Sequence, residues 1–282
     1  MSEKVDFMII GAQKCATSTL FRILDKHPLL NGSSNKEPHF FSNTEDWESG
    51  LQDYHSLFNF QPGHLTFEGS TTYTFAPHRN PHIWDDTYSY NPEMKFIYMV
   101  RNPADRLVSA YMHAYERGYT DTDLVTAIQN EPYFMDVTRY QMQVRPYMDR
   151  FGKDRVLLIE FEDFNQHRGE VLESVAGFLG VDSDGFNDWD AEYDNPSIGG
   201  QKPNVAFDQA RWWHRVVERI SPKLWQRLTD NSSRAFDQKP VFPADTLKHI
   251  LLELEPDIQF LEKELNKDLH QWREIKRPAE VS

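Results

Sequence analysis

Short apolar runs alternate with longer amphipathic stretches along this chain. Val5 to Ile10 is a compact, mostly apolar run that ends at Gly11, which predicts a buried strand entering a loop. From Thr17 to His27, Leu20, Ile23 and Leu24 recur at helical spacing, and His27-Pro28 stops the helix. Leu65-Thr66-Phe67 predicts a second strand, and Lys95 to Val100 (KFIYMV) a clearer third. Asn102 and Pro103 then suit the cap and first turn of a helix. Arg155 to Phe161 predicts a fourth strand. Asp163 suits a cap for the segment after it, and Val171, Leu172, Val175 and Phe178 form the apolar face of the next helix. Strands alternating with helices predict an α/β fold with a central, mostly parallel sheet, flanking helices and right-handed crossovers.

The periodicity fades over residues 181–210, where Gly, Pro, Asn and Asp predict a long loop, a kind of segment that is often functional. Helical patterning returns at 211–228 and 244–265. Leu247, Ile250, Leu251 and Leu254 form one stripe there, extended past Pro256 by Ile258, Leu261 and Leu265. No linker divides the 282 residues, so 1–282 reads as a single domain: an α/β core at 5–180, the loop at 181–210 and a helical part at 211–282.

Composition narrows the class. Hydrophobic residues make up 39% and charged residues 26%, a water-soluble globular balance. No apolar run approaches the roughly 20 residues that a bilayer requires, and the N-terminal MSEKVDFMIIGAQK lacks a leader's apolar stretch and cleavage site. With Cys15 as the single cysteine no intrachain disulfide can form, which fits a reducing, cytoplasmic setting. The net charge of −14 speaks against nucleic acid as a partner and sets a long-range repulsion against polyanionic glycans. The 11 histidines are scattered, and HExxH and CxxC patterns are absent, so no metal is expected. The pattern specifies no oligomeric state.

The strongest chemical signal is GAQKCATSTL, Gly11 to Leu20, between the first strand and the first helix. A helix N-terminus there offers free backbone N–H groups and a positive dipole end. Lys14 adds a full charge, and Thr17, Ser18 and Thr19 add hydroxyl donors. The GxxxxGK[ST] loop of ATPases does not match, because Lys14 follows Gly11 by three residues and Cys15-Ala16 separate it from Thr17.

Further on come His27-Pro28, Lys36-Glu37-Pro38-His39-Phe40-Phe41, and RNPADRLVSAY (Arg101 to Tyr111) directly after an apolar strand. In this order and spacing the chain resembles the sulfotransferases that use 3′-phosphoadenosine 5′-phosphosulfate (PAPS). It looks most like the branch with bacterial carbohydrate-type enzymes and the catalytic domains of heparan sulfate sulfotransferases. The resemblance implies a P-loop-like sulfotransferase fold. It implies that Lys14, Ala16, Thr17, Ser18 and Thr19 hold the 5′ end of PAPS, and that Arg101 and Ser109 hold its 3′-phosphate. A guanidinium grips phosphate oxygens bidentately, which agrees with that role. A salt bridge from Arg101 to Asp105 is the plainer alternative, and Arg106 reads as structural.

The same resemblance implies Glu37 as the catalytic base, with His39 near the acceptor. Histidine titrates at the right pH by default, whereas glutamate would need its pKa raised by burial, so His39 stays open as the alternative base. Related enzymes often carry E-K-[ST]-P-x-Y on the second strand. This chain reads Glu68-Gly69-Ser70-Thr71-Thr72-Tyr73, so Gly69 stands where that lysine would be. Glu68 is a candidate acceptor ligand or a strand-end carboxylate. Lys202, in Gly199-Gly200-Gln201-Lys202-Pro203, is a candidate for closing over the cofactor. The expected reaction is in-line transfer of a sulfuryl group from PAPS to a hydroxyl, or less readily an amine, of a glycan or small molecule, releasing adenosine 3′,5′-bisphosphate. The alternatives are a small-molecule kinase, or a nucleotide-binding relative without activity.

Overall fold

The computed structural model describes residues 3–43, 46–186, 236 and 238–275. Its centre is a five-stranded sheet: β1 (Phe7–Gly11), β2 (Leu30–Gly32), β3 (Leu65–Glu68), β4 (Lys95–Val100) and β5 (Val156–Glu160), in the order β2-β3-β1-β4-β5. Every pairing is parallel; Phe7 lies opposite both Phe67 and Lys95, and Tyr98 opposite Leu158. The near-continuous apolar runs follow from this arrangement, since a parallel sheet covered on both faces buries both side-chain sets. All five residues of β1 are buried.

The longer helices are α1 (Thr17–Leu24), α2 (Ile83–Tyr90), α3 (Pro103–Glu116), α4 (Tyr140–Phe151), α5 (Arg168–Leu179), α6 (Ala244–Glu253) and α7 (Glu255–Leu265). The main core runs from the β1 side chains to Leu269 and Trp272. A second cluster joins Leu107 and Val108 of α3 to Phe242, Ile250 and Leu254. Asn102 caps α3 as its sequence suggests: its Oδ1 accepts the N–H groups of Ala104 at 3.0 Å and Asp105 at 3.3 Å, and Pro103 opens the first turn. The apolar stripe of 244–265 is split at Leu254, and Pro256 sits in the first turn of α7.

Three expectations need correction. The strand at Leu65 is third in the chain, because β2 precedes it; three residues just beyond a Pro stop leave no periodicity to read. Asp163 caps nothing, since a short helix already begins at Phe161; its carboxylate accepts from Lys267 Nζ at 2.6 Å. The Arg101–Asp105 pair is not made, for Asp105 pairs with Lys239 instead. The helix expected at 211–228 lies outside the described residues, as do positions 187–210 of the loop expected at 181–210. No helix among the described residues is long and apolar enough to cross a membrane.

Candidate active site

The chain winds outward from β1 in both directions. The connection after β1 leads toward β2, and the one after β4 leads toward β5. Such a reversal leaves a crevice beyond the carboxyl ends of the two central strands, where open parallel sheets bind ligands. A cleft of about 920 Å³ occupies this place. It is lined by Gln13, Lys14 and Ala16 to Thr19 after β1, by Glu37, His39, Thr71 and Thr72, by Arg101, Ser109, His113 and Arg117 on the β4 side, and by Phe161 and Arg168 beyond β5.

The loop after β1 has unusual backbone geometry. Lys14 and Ala16 hold φ values of 71° and 64°, in the left-handed region that non-glycine residues seldom enter. Alternation of left- and right-handed residues turns successive N–H groups toward one concavity, the geometry of an anion nest. Ala16 also occupies the cap position of α1, and no side chain caps that helix. The first turn of α1 thus faces the cleft with backbone donors and with Thr17, Ser18 and Thr19.

Arg101 leaves the end of β4 and reaches across the crevice. Its Nη1 donates to Lys14 O at 3.3 Å, its guanidinium lies over the Phe161 ring at 4.3 Å, and its buried Nε has no hydrogen-bond partner. Tyr140 fixes the backbone beneath by donating to Arg101 O at 2.7 Å. A half-buried guanidinium with an orphaned N–H, beside an anion nest and a buried serine on α3, fits a phosphate group well. Arg106 points the other way: it is fully buried and donates to Phe134 O at 3.0 Å. Cys15 is buried as well, and burial pushes its thiol up to about 12, so it stays protonated.

On the opposite wall, Glu37 accepts from Lys36 Nζ at 2.9 Å and from Thr71 Oγ1 at 3.2 Å. The His39 Nε2 lies 3.8 Å from its other oxygen, and His39 Nδ1 lies 2.8 Å from Thr72 Oγ1. Burial pushes the Glu37 carboxyl up, as its expected role requires. The Lys36 ammonium, His39 and the Thr71 hydroxyl outweigh burial, however, and hold it below the ordinary carboxylate value. Burial lowers the His39 pKa against the pull of Glu37, with the Arg79 and Lys36 charges acting in the same direction as burial. At neutral pH the wall therefore presents an ionised carboxylate beside a neutral imidazole, two proton acceptors side by side.

Glu68 does not face this cleft. It is fully buried and accepts hydroxyl hydrogens from Ser70, Tyr54 and Tyr73, so no side remains for an acceptor molecule. Gly69 is packed: a Cβ there would meet Phe21 Cδ2 at 3.2 Å and Ile9 Cβ at 3.5 Å. The cation beside Glu37 is instead Lys36. Lys202 lies outside the described residues. Sequence reasoning missed His113 and Arg117, although they follow Ser109 at intervals of one helical turn and that spacing could have found them. Among the described residues no group of three or more His, Cys, Asp or Glu could hold a metal ion.

Comparison with known proteins identifies the family. A family model described as the sulfotransferase domain matches residues 4–192. The human bifunctional heparan sulfate N-deacetylase/N-sulfotransferase 2 is 24% identical over 199 residues, 62% of this chain and 22% of its own. The mouse heparan sulfate glucosamine 3-O-sulfotransferase 5 is 33% identical over 110 residues, 39% of this chain and 30% of its own. The chain thus spans less than a third of the length of these two relatives. A solved sulfotransferase from Alicyclobacillus acidocaldarius superposes with a TM-score of 0.68 at 25% identity, covering 96% of this chain and 99% of that one.

Proposed function

The chain belongs to the sulfotransferase domain family, and from that premise we propose that it transfers a sulfuryl group from PAPS to a hydroxyl of a carbohydrate or small-molecule acceptor. One observation carries the reading: a single cleft holds the anion nest, Arg101 with Ser109, and the Glu37–His39 wall. PAPS, when bound, supplies the sulfuryl group and a leaving group whose negative charge must be stabilised.

The residues divide that work. Lys14, the hydroxyls of Thr17, Ser18 and Thr19, and the backbone at Ala16 hold the 5′ end and stabilise charge as it develops there. Arg101 and Ser109 would hold the 3′-phosphate, with the Arg101 guanidinium backed by the Phe161 ring at 4.3 Å. Glu37 accepts the proton of the attacking hydroxyl, and His39 orients it from the neighbouring position. A sulfuryl group carries less negative charge than a terminal phosphoryl group, so an ammonium and backbone donors can do the neutralising that magnesium does in kinases. The heparan sulfate named in the two relatives supports a sugar hydroxyl or amine as acceptor.

The test is calorimetric titration with adenosine 3′,5′-bisphosphate, beside 5′-AMP and ATP–magnesium. Binding should need the 3′-phosphate and no metal. It should weaken about ten- to hundredfold in Arg101→Ala, as expected for one charge-assisted phosphate contact. Equal affinity for 5′-AMP, or preference for ATP–magnesium, would sink the reading and promote a kinase.

A further inference from the structure

The segment bearing Glu37 and His39 is gripped from beneath by a buried carboxylate that the transfer chemistry itself does not use. Glu68 closes β3 and accepts from Ser70 Oγ at 2.5 Å, Tyr73 Oη at 2.6 Å and Tyr54 Oη at 2.7 Å. A hydroxyl that donates in one direction keeps lone pairs for another partner. The Ser70 oxygen accepts the backbone N–H of His39 at 3.0 Å, and the Tyr73 oxygen accepts that of Phe41 at 3.4 Å. Gly69 N–H adds a third tie, to Lys36 O at 3.1 Å. Glu37 sits between the first and third of these ties.

The grip has a strained conformation to maintain. His39 holds φ at 56°, a region an L-residue keeps only when its surroundings impose it. The direction in which the hydroxyl hydrogens of this relay point depends on the charge of Glu68. As a carboxylate it accepts three hydroxyl hydrogens at once. As a carboxylic acid, or as an amide, it must itself donate, and at least one of Ser70, Tyr54 and Tyr73 has to turn away or let go. The groups acting on it are those three hydroxyls, the nearby Tyr90 and Tyr147, and the negative charge of Glu37. Burial pushes its pKa up to about 7 against the hydroxyls, and Glu37 adds to the rise.

We propose that Glu68 is a positioning residue for the transfer site: its carboxylate orients the Ser70 and Tyr73 hydroxyls to hold the His39 and Phe41 backbone, and through them the Glu37 side chain. The proposal rests on the reading of Glu37 as the base, so its test needs one readout that does not pass through catalysis.

That readout is amide hydrogen exchange on the full chain, resolved at His39 and Phe41, and it is paired with PAPS turnover using water as the acceptor. In Glu68→Gln, exchange at both amides should quicken about tenfold or more. Turnover should fall by a similar factor while the KM for PAPS stays within about twofold, the split expected when only the base is misplaced. Ser70→Ala, which spares the carboxylate and the Tyr73 link, should release His39 alone; it guards against a Glu68→Gln chain that fails to fold. In the wild type, protection of the two amides (corrected for intrinsic rate) should fall as pH drops through 7, and Glu68→Gln should abolish that dependence. Unchanged exchange in both variants, or an equal rise across the whole sheet, would overturn the proposal. If exchange quickens locally but Glu37→Gln keeps wild-type turnover, the grip stands and the assignment of Glu37 as base falls instead.

Discussion

Two opposing forces meet at Glu37. Burial raises its pKa, while Lys36, His39 and Thr71 together lower it below the usual value. Lys36→Ala removes the strongest of the lowering influences and leaves burial less opposed, so the Glu37 pKa must rise. A base works only when ionised, and the acid limb of the turnover profile marks where it protonates. That limb should therefore move to higher pH in Lys36→Ala; a limb that stays in place would free Lys36 from the site's electrostatics. The same profile separates the two candidate bases. Glu37→Gln should cut turnover about a hundredfold or more if the carboxylate is the base, with adenosine 3′,5′-bisphosphate affinity nearly intact. If His39 is the base, activity survives and the acid limb moves to lower pH, because the Glu37 charge is what raises the His39 pKa against burial.

The elements that carry these residues differ in how far the sequence reveals them. Helix α3 is the clearest. Asn102 and Pro103 announce its start, and the structure caps it through Asn102 Oδ1. Asn102→Ala should cost about 1 kcal/mol in denaturant unfolding, with Asn102→Ser recovering most of it; no loss would mean that the Asn102 N–H bond to Glu162 Oε1 at 3.1 Å sets the turn by itself. Strand β4 matches its apolar run residue for residue, because a strand buried on both faces leaves one continuous signal. The loop after β1 is legible in its chemistry but not in its shape. Lys14 and Ala16 take left-handed φ values that glycine would advertise and that these residue types conceal. The role of Glu68 was hidden for a related reason. Its partners Tyr54 and Tyr73 come from a distant helix and a following turn, and a strand-end carboxylate looks alike in sequence whether it is buried or solvated. Asp163 misled in the same way, since its partner Lys267 lies 104 residues further along.

Over the whole molecule, the parallel sheet gathers the carboxyl ends of its strands at one edge, and that edge collects buried carboxylates along with the cleft. Burial raises the pKa of Glu68, Glu160, Glu162 and Asp257 in the folded chain. A carboxyl whose folded pKa lies above its unfolded value contributes stability that is complete below the unfolded pKa and is lost as pH rises through the folded one. For Glu68 that window runs from the ordinary value of 4.5 to about 7, and the loss across it is on the order of 3 kcal/mol. Glu255 and Glu262, both bound by Arg273, act in the opposite direction: their pKa values are lowered, and their contribution disappears only as pH falls below the ordinary range. The net charge of −14 adds self-repulsion at high pH. His39 and His55, whose pKa values burial lowers, act the other way and lose stability as pH falls below their ordinary value of 6.5. The carboxyl contribution is therefore read as the difference between wild type and Glu68→Gln in thermal unfolding from pH 5 to 7. Glu68→Gln, which cannot ionise, should gain on the wild type as pH rises, while losing turnover. A difference between the two melting temperatures that stays constant from pH 5 to 7 would mean that Glu68 ionises at the ordinary carboxylate value despite its burial. The opposite sign of the two effects follows from one cause, since the buried negative charge that costs folding free energy is the charge that orients the hydroxyls under His39 and Phe41.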